Sequence, residues 1–131
     1  YPFAQYLQFM KEAGQIKDWW YEQTTFEDKR SKMKWVMDFD VRNNDDTFEY
    51  YECKGYAVLT NVRWKLDIMH ETKPEVQITM VFQDKKQMGR LGKKRASYCK
   101  RVCLLKDITR GTAKIADTGY GCGIWSGNKP I

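Results

Sequence analysis

Val62-Arg63-Trp64-Lys65-Leu66-Asp67-Ile68 is the stretch whose reading decides the fold. Its apolar residues, Val62, Trp64, Leu66 and Ile68, alternate with Arg63, Lys65 and Asp67, a period of two that predicts a half-buried β-strand. The same period occurs on both sides of it. Trp35, Met37, Phe39 and Val41 alternate with Val36, Asp38 and Asp40, and Val76, Ile78, Met80 and Phe82 with Gln77, Thr79 and Val81. Turn residues separate these runs: Asn43-Asn44-Asp45-Asp46, Lys73-Pro74, Met88-Gly89, Arg110-Gly111 and the glycines from Gly119 to Gly123. Only the beginning differs. Phe3, Tyr6, Leu7, Met10 and Ala13 recur at spacings of three and four, with Gly14 as a stop, so a short helix is expected there.

A helix followed by six or more short strands admits two architectures. One is an all-β fold, a closed antiparallel up-and-down barrel behind a short N-terminal helix. The other is α+β, one helix on a curved antiparallel sheet. The curved sheet needs a long helix to cover it, and Phe3 to Ala13 gives only about 16 Å at 1.5 Å per residue. A barrel buries its apolar faces against each other, so a single barrel domain over 1–131 is the expectation.

Four cysteines stand at 53, 99, 103 and 122, the last three within a predicted hairpin from Tyr98 to Trp125. There is no Cys-x-x-Cys, and the single histidine, His70, lies apart from all four, so two disulfides in a secreted domain are expected in place of a metal site. On one strand Cys99 and Cys103 would lie about 13 Å apart, too far to bond. Cys53 then pairs with Cys99 or Cys103, and Cys122 with the other.

The 131 residues carry a net charge of +6 and 15% aromatic residues, more than a core of this size needs. The positive charge concentrates from Lys85 to Arg101 and reads as a solvated loop. No aromatic residue interleaves with its lysines before Tyr98, so a nucleic-acid partner is not expected. No apolar run is long enough to span a membrane. The chain starts at Tyr1 with no leader, as a mature secreted protein would, and a monomer is expected.

Catalytic sets are missing. His70 closes a predicted strand beside Glu71 with no nucleophile motif nearby, and Asp38, Asp40, Glu49, Glu52 and Asp67 offer carboxylates without a spacing that selects a pair. Asp38 to Glu49 mimics the ends of a calcium loop, but Arg42 and Asn43 break its middle. No enzyme, cofactor or metal is expected. What the residues do suggest is a binding protein whose site is an aromatic cavity with a few fixed polar groups.

Three stretches resemble the salivary lipocalins of ticks, the group that includes histamine-binding proteins. They are Asp18 to Asp28, with its Trp19-Trp20-Tyr21 run; Glu52-Cys53; and Cys103-Leu104-Leu105 followed by Gly119-Tyr120-Gly121-Cys122-Gly123-Ile124-Trp125. The last is the most specific. The resemblance implies a lipocalin barrel and a secreted scavenger that sequesters a host inflammatory mediator for immune evasion. Capture of a biogenic amine would use an inward carboxylate, for which Glu49 beside Tyr51 is the candidate. Capture of a fatty acid or leukotriene would use Trp35, Phe39 and Trp64 along the ligand, with Arg or Lys at the mouth. A second reading is a secreted inhibitor that binds a host protein (complement, chemokine or protease) through its loops. A third, cystatin-like reading of the curved sheet lacks that family's Gln-x-Val-x-Gly wedge.

Overall fold

The structure, a computed structural model, describes residues 2–54, 59–109, 125–126 and 129–130. The decisive stretch is a helix. α2 (Leu59–Thr72) buries Val62, Leu66 and Met69, spaced i, i+4 and i+7, and leaves Trp64 40% exposed. Val62 and Leu66 satisfy both periods; Met69 fits only the helical one, and 14 residues without a turn signal exceed the usual strand.

The remaining elements make a three-layer α+β fold, not a closed barrel. α1 (Pro2–Glu12) precedes β1 (Asp18–Tyr21), β2 (Thr25–Asp28), β3 (Met33–Val36), β4 (Phe39–Arg42) and β5 (Phe48–Lys54). After α2 come β6 (Ile78–Phe82), α3 (Lys85–Leu91), α4 (Lys93–Ala96), β7 (Arg101–Leu104), α5 (Leu105–Thr109), β8 (Trp125–Ser126) and β9 (Lys129–Pro130). The main sheet runs β1-β4-β5-β6-β7-β8-β9, and β2 pairs with β3 apart from it. β5, β6 and β7 are parallel and their other neighbours antiparallel. Parallel neighbours cannot be joined by a hairpin, so α2 makes one crossover and α3 with α4 the next. The α+β class matches the alternative expectation, whose single helix and wholly antiparallel sheet do not hold.

Both faces of the sheet are covered. On one, α2, α3, α4 and the β2–β3 pair pack over Ile78, Met80, Phe82, Val102 and Leu104. On the other, α1 and α5 pack over Phe39, Val41, Tyr51, Val81 and Cys103, with Phe3, Leu7 and Met10 from α1 and Ile108 from α5. β6 is therefore buried at all five positions, as a parallel strand between helices should be, and is not half-exposed.

The expected strand from Trp35 to Val41 breaks at Met37–Asp38. Trp35 and Met37 consequently enter the first core, Phe39 and Val41 the second. The break is tied down by carboxylates. The Asp38 N–H donates to Glu52 Oε1 at 2.9 Å, and the Cys53 N–H donates to Asp38 Oδ2 at 2.7 Å. Burial, first of all, raises the pKa of both acids; the Asp38 charge adds to it at Glu52.

The basic segment is not a loop. Asp84 accepts from the Gln87 N–H and caps α3, and Met88, Leu91 and Ala96 are buried beneath α3 and α4. Gly92, at φ 87°, makes the left-handed joint between them. His70 ends a helix, not a strand, and its ring stacks on Tyr98 at 3.8 Å. The expected Tyr98–Trp125 hairpin is reduced: β7 does pair antiparallel with β8, Val102 opposite Trp125, but the chain turns into α5 at Leu105. Cys122 and residues 110–124 lie outside the described set, and with them the pairing of that cysteine.

Cys99 precedes β7 and packs in the first core, whereas Cys103 packs in the second, so the sheet separates them. Cys53 and Cys103 flank Val81 in one row of the sheet, two strand spacings or about 10 Å apart, beyond disulfide reach. Cys99 is a thiol, directed at the Arg95 carbonyl oxygen at 3.6 Å, and burial pushes its pKa up to about 12. It is expected to resist iodoacetamide at pH 8 in the native protein and to react once urea unfolds it; modification at equal rates in both states would show that the first core is open there.

Candidate functional site

The five residues expected to line one cavity do not surround a common space. Trp35 is buried in the first core, with the Lys65 ammonium 5.8 Å from its ring centroid. Phe39 and Tyr51 are buried in the second core, both within ring contact of Phe3. Trp64 stands on the outer side of α2. Phe39 stands directly opposite Tyr51 across β4 and β5, and the Tyr51 hydroxyl donates to Glu49 Oε2 at 2.8 Å, so these three share one face of the sheet while Trp35 and Trp64 lie apart from them.

Glu49 is already satisfied. The Lys100 ammonium donates to its Oε1, and Arg101 Nη1 lies 3.6 Å from its Oε2. Burial pushes the Glu49 carboxyl up, but the hydrogen bond and charge of Lys100, with Tyr51 and Arg101, outweigh it and hold the group below its ordinary value. An incoming ammonium would have to displace Lys100, so this acid serves the fold. Gln15, Asn43, Asn44, Asp45 and Thr47 form an open depression beside it.

A different carboxylate is unsatisfied. Asp40 lies at the centre of β4, and the pairing of β1, β4 and β5 sets Trp20, Asp40 and Tyr50 in one row across the sheet. Phe48 lies two residues from Tyr50 on the same face, and its ring stacks on Trp20 at 6.2 Å. These side chains, with Gln23 and Thr24 from the segment between β1 and β2, line an open cleft of about 560 Å³. Phe26 meets the Tyr50 ring edge-on at 5.0 Å.

Asp40 is 5% exposed. Thr24 Oγ1 donates to its Oδ2, while Oδ1 is buried with no hydrogen-bond partner among the described residues. No lysine or arginine forms an ion pair with it among those residues. Burial raises its pKa, and the Thr24 hydrogen bond only partly opposes the rise. A buried carboxylate without a cation is costly, and a ligand carrying one would relieve that cost. Aromatic faces add a cation–π attraction of about 0.5–2 kcal/mol. The cleft is thus chemically suited to a small ammonium with an N–H to give to Oδ1.

Sequence reading missed this group because it put Asp40 on the outward side of an alternating strand. With both faces covered, the alternate face is also interior. The signal present was the aromatic pair Trp19-Trp20 in the same chain as Phe48 and Tyr50, but nothing local aligned them with Asp40.

Among the described residues no three His, Cys, Asp or Glu side chains are grouped to hold a metal ion. No helix there is long and apolar enough to cross a membrane. No protein-family model matches the chain, and no curated protein matches it significantly. The barrel implied by the resemblance to tick salivary lipocalins is not the fold found.

Proposed function

We propose that this protein binds and sequesters a small organic ammonium of the biogenic-amine class in the cleft of Trp20, Thr24, Asp40, Phe48 and Tyr50. The observation that carries the reading is that Asp40, which lines an aromatic cleft, has a buried Oδ1 with no hydrogen-bond partner among the described residues. The ammonium donates to Oδ1, and the Thr24 hydroxyl holds the carboxylate in place from the other oxygen. Trp20, Phe48 and Tyr50 flank the organic part. A fatty acid or leukotriene fits less well, because its own carboxylate would meet Asp40. In a secreted protein such a site withdraws a host mediator from its receptors by mass action, which needs affinity and no catalysis.

The test is a panel titration read by tryptophan emission, since Trp20 borders the cleft. Histamine and tyramine should bind one-to-one and perturb emission, while phenylpropionate and tetramethylammonium, lacking either the positive charge or the N–H, should bind weakly or not at all. Affinity should fall on acidification, beginning above the usual carboxylate range, because protonated Asp40 loses its charge. Preference for the carboxylate ligand, or an affinity that rises as Asp40 protonates, would overturn the reading.

A further inference from the structure

The outer face of α3 and α4 carries four exposed cations that form no ion pair among the described residues. From Lys85 to Arg101 there is no acidic residue, and the one just before, Asp84, is spent as a helix cap. The cations of this segment divide into two groups. Arg95, Lys100 and Arg101 turn inward to Asp67 and Glu49. Lys85, Lys86, Arg90 and Lys94 are exposed and make no ion pair among the described residues, and Lys93 is exposed beside them.

Lys86 and Arg90 stand four residues apart on α3, a like-charge spacing that weakens a helix. The buried Met88, Leu91 and Ala96 nevertheless hold the two helices against the core, so the cations form a fixed array and not a mobile tail. A polyanion would convert that repulsion into attraction. The chemistry narrows the partner. The segment's large apolar side chains are all turned inward, leaving nothing to insert among lipid chains. No aromatic ring lies between Lys85 and Ser97 on which a base could stack. Two short, arginine-poor helices give little for reading a groove. A sulfated polysaccharide asks for none of these, only spaced point charges.

We propose that the α3–α4 face is a binding surface for a sulfated polysaccharide chain, engaged through Lys85, Lys86, Arg90 and Lys94. The site is independent of the Asp40 cleft and stands or falls separately from it.

Heparin is the probe. Its dissociation constant, measured over a salt series by fluorescence anisotropy, should give a log–log slope of about −3 to −4, from roughly 0.7 to 0.9 counterions released per cation engaged. The variant K85Q/K86Q/R90Q/K94Q changes only exposed side chains, so its circular dichroism and its amine titration should match the parent protein. Its heparin affinity should drop at least about tenfold and its slope approach zero. Unchanged affinity in that variant, or a slope no steeper than −1 in the parent, would overturn the proposal. So would tighter binding of duplex DNA or of phosphatidylserine vesicles than of heparin at equal salt, each pointing to another partner.

Discussion

Replacing Phe39 with alanine is expected to lower the unfolding free energy by about 3–5 kcal/mol, whereas Trp64→Ala should cost well under 1 kcal/mol. Phe39 is 1% exposed, and its ring meets those of Phe3, Trp19 and Tyr21 at 5.2, 6.0 and 5.4 Å, so truncation leaves a cavity between the sheet and α1. Trp64 presents its ring to water from α2 and leaves little void behind. Urea unfolding of both variants checks the pair. The barrel reading sets Trp64 beside Phe39 on the inner wall, so a loss at Trp64 as large as that at Phe39 would contradict the three-layer fold.

Glu49→Ala should cost roughly 3 kcal/mol, because it leaves Arg101 buried without its counter-charge. Arg101 already has Nε and Nη1 without hydrogen-bond partners among the described residues, and its side chain is only 9% exposed. Lys100 is freer, a third of its side chain reaching solvent, and contributes less to the loss. The same group sets an acid limit. Its folded pKa lies below its ordinary value, so its stabilising charge is fully present above the unfolded pKa of about 4.3 and is lost as pH falls through the folded one. Denaturation midpoints measured from pH 6 down to 2 should therefore fall steeply in the parent and less in Glu49→Gln. Parallel curves would mean that Glu49 is not ion-paired in solution.

What the sequence revealed and concealed follows from the physics of each element. α1 was legible because Phe3, Leu7 and Met10 face one core and their spacing has no competing period. The β4–β5 turn was legible in Asn43 to Asp46, where the Asp46 N–H donates to the Asn43 carbonyl oxygen and Asp46 takes a left-handed φ of 68°. β6 was legible as a strand but not as a parallel one, since Ile78, Met80 and Phe82 alternate equally well in either sense and only the α2 crossover fixes the direction. α2 itself was concealed because Val62 and Leu66 fit a strand as well as a helix, while Trp64 and Ile68 complete the period of two. The helices at Lys85–Ala96 were concealed by charge: three buried residues, Met88, Leu91 and Ala96, are too few to announce a period among so many lysines.

The site was harder. Glu49 and Tyr51 were singled out correctly as neighbours, but the partners that occupy Glu49 lie 51 residues away at Lys100 and next to it at Arg101, a distance no local pattern spans. Asp40 was visible as a carboxylate and misplaced to the solvent face, because an alternating strand implies solvent only when one side of its sheet is bare. Here helices cover one face and the β2–β3 pair with α2 the other, and the orphaned oxygen follows from that burial.

The most direct measurement is a pair of calorimetric titrations of the parent protein and Asp40→Asn with tyramine at neutral pH. The asparagine keeps the shape and the Thr24 contact but removes the charge, and a hydrogen bond to a charged group is worth about 1.5–3 kcal/mol. At 1.4 kcal/mol per factor of ten, the account predicts one-to-one binding by the parent and a roughly ten- to hundredfold weaker constant for the variant. Equal constants for the two proteins, or no heat of binding to the parent up to millimolar tyramine, would contradict it.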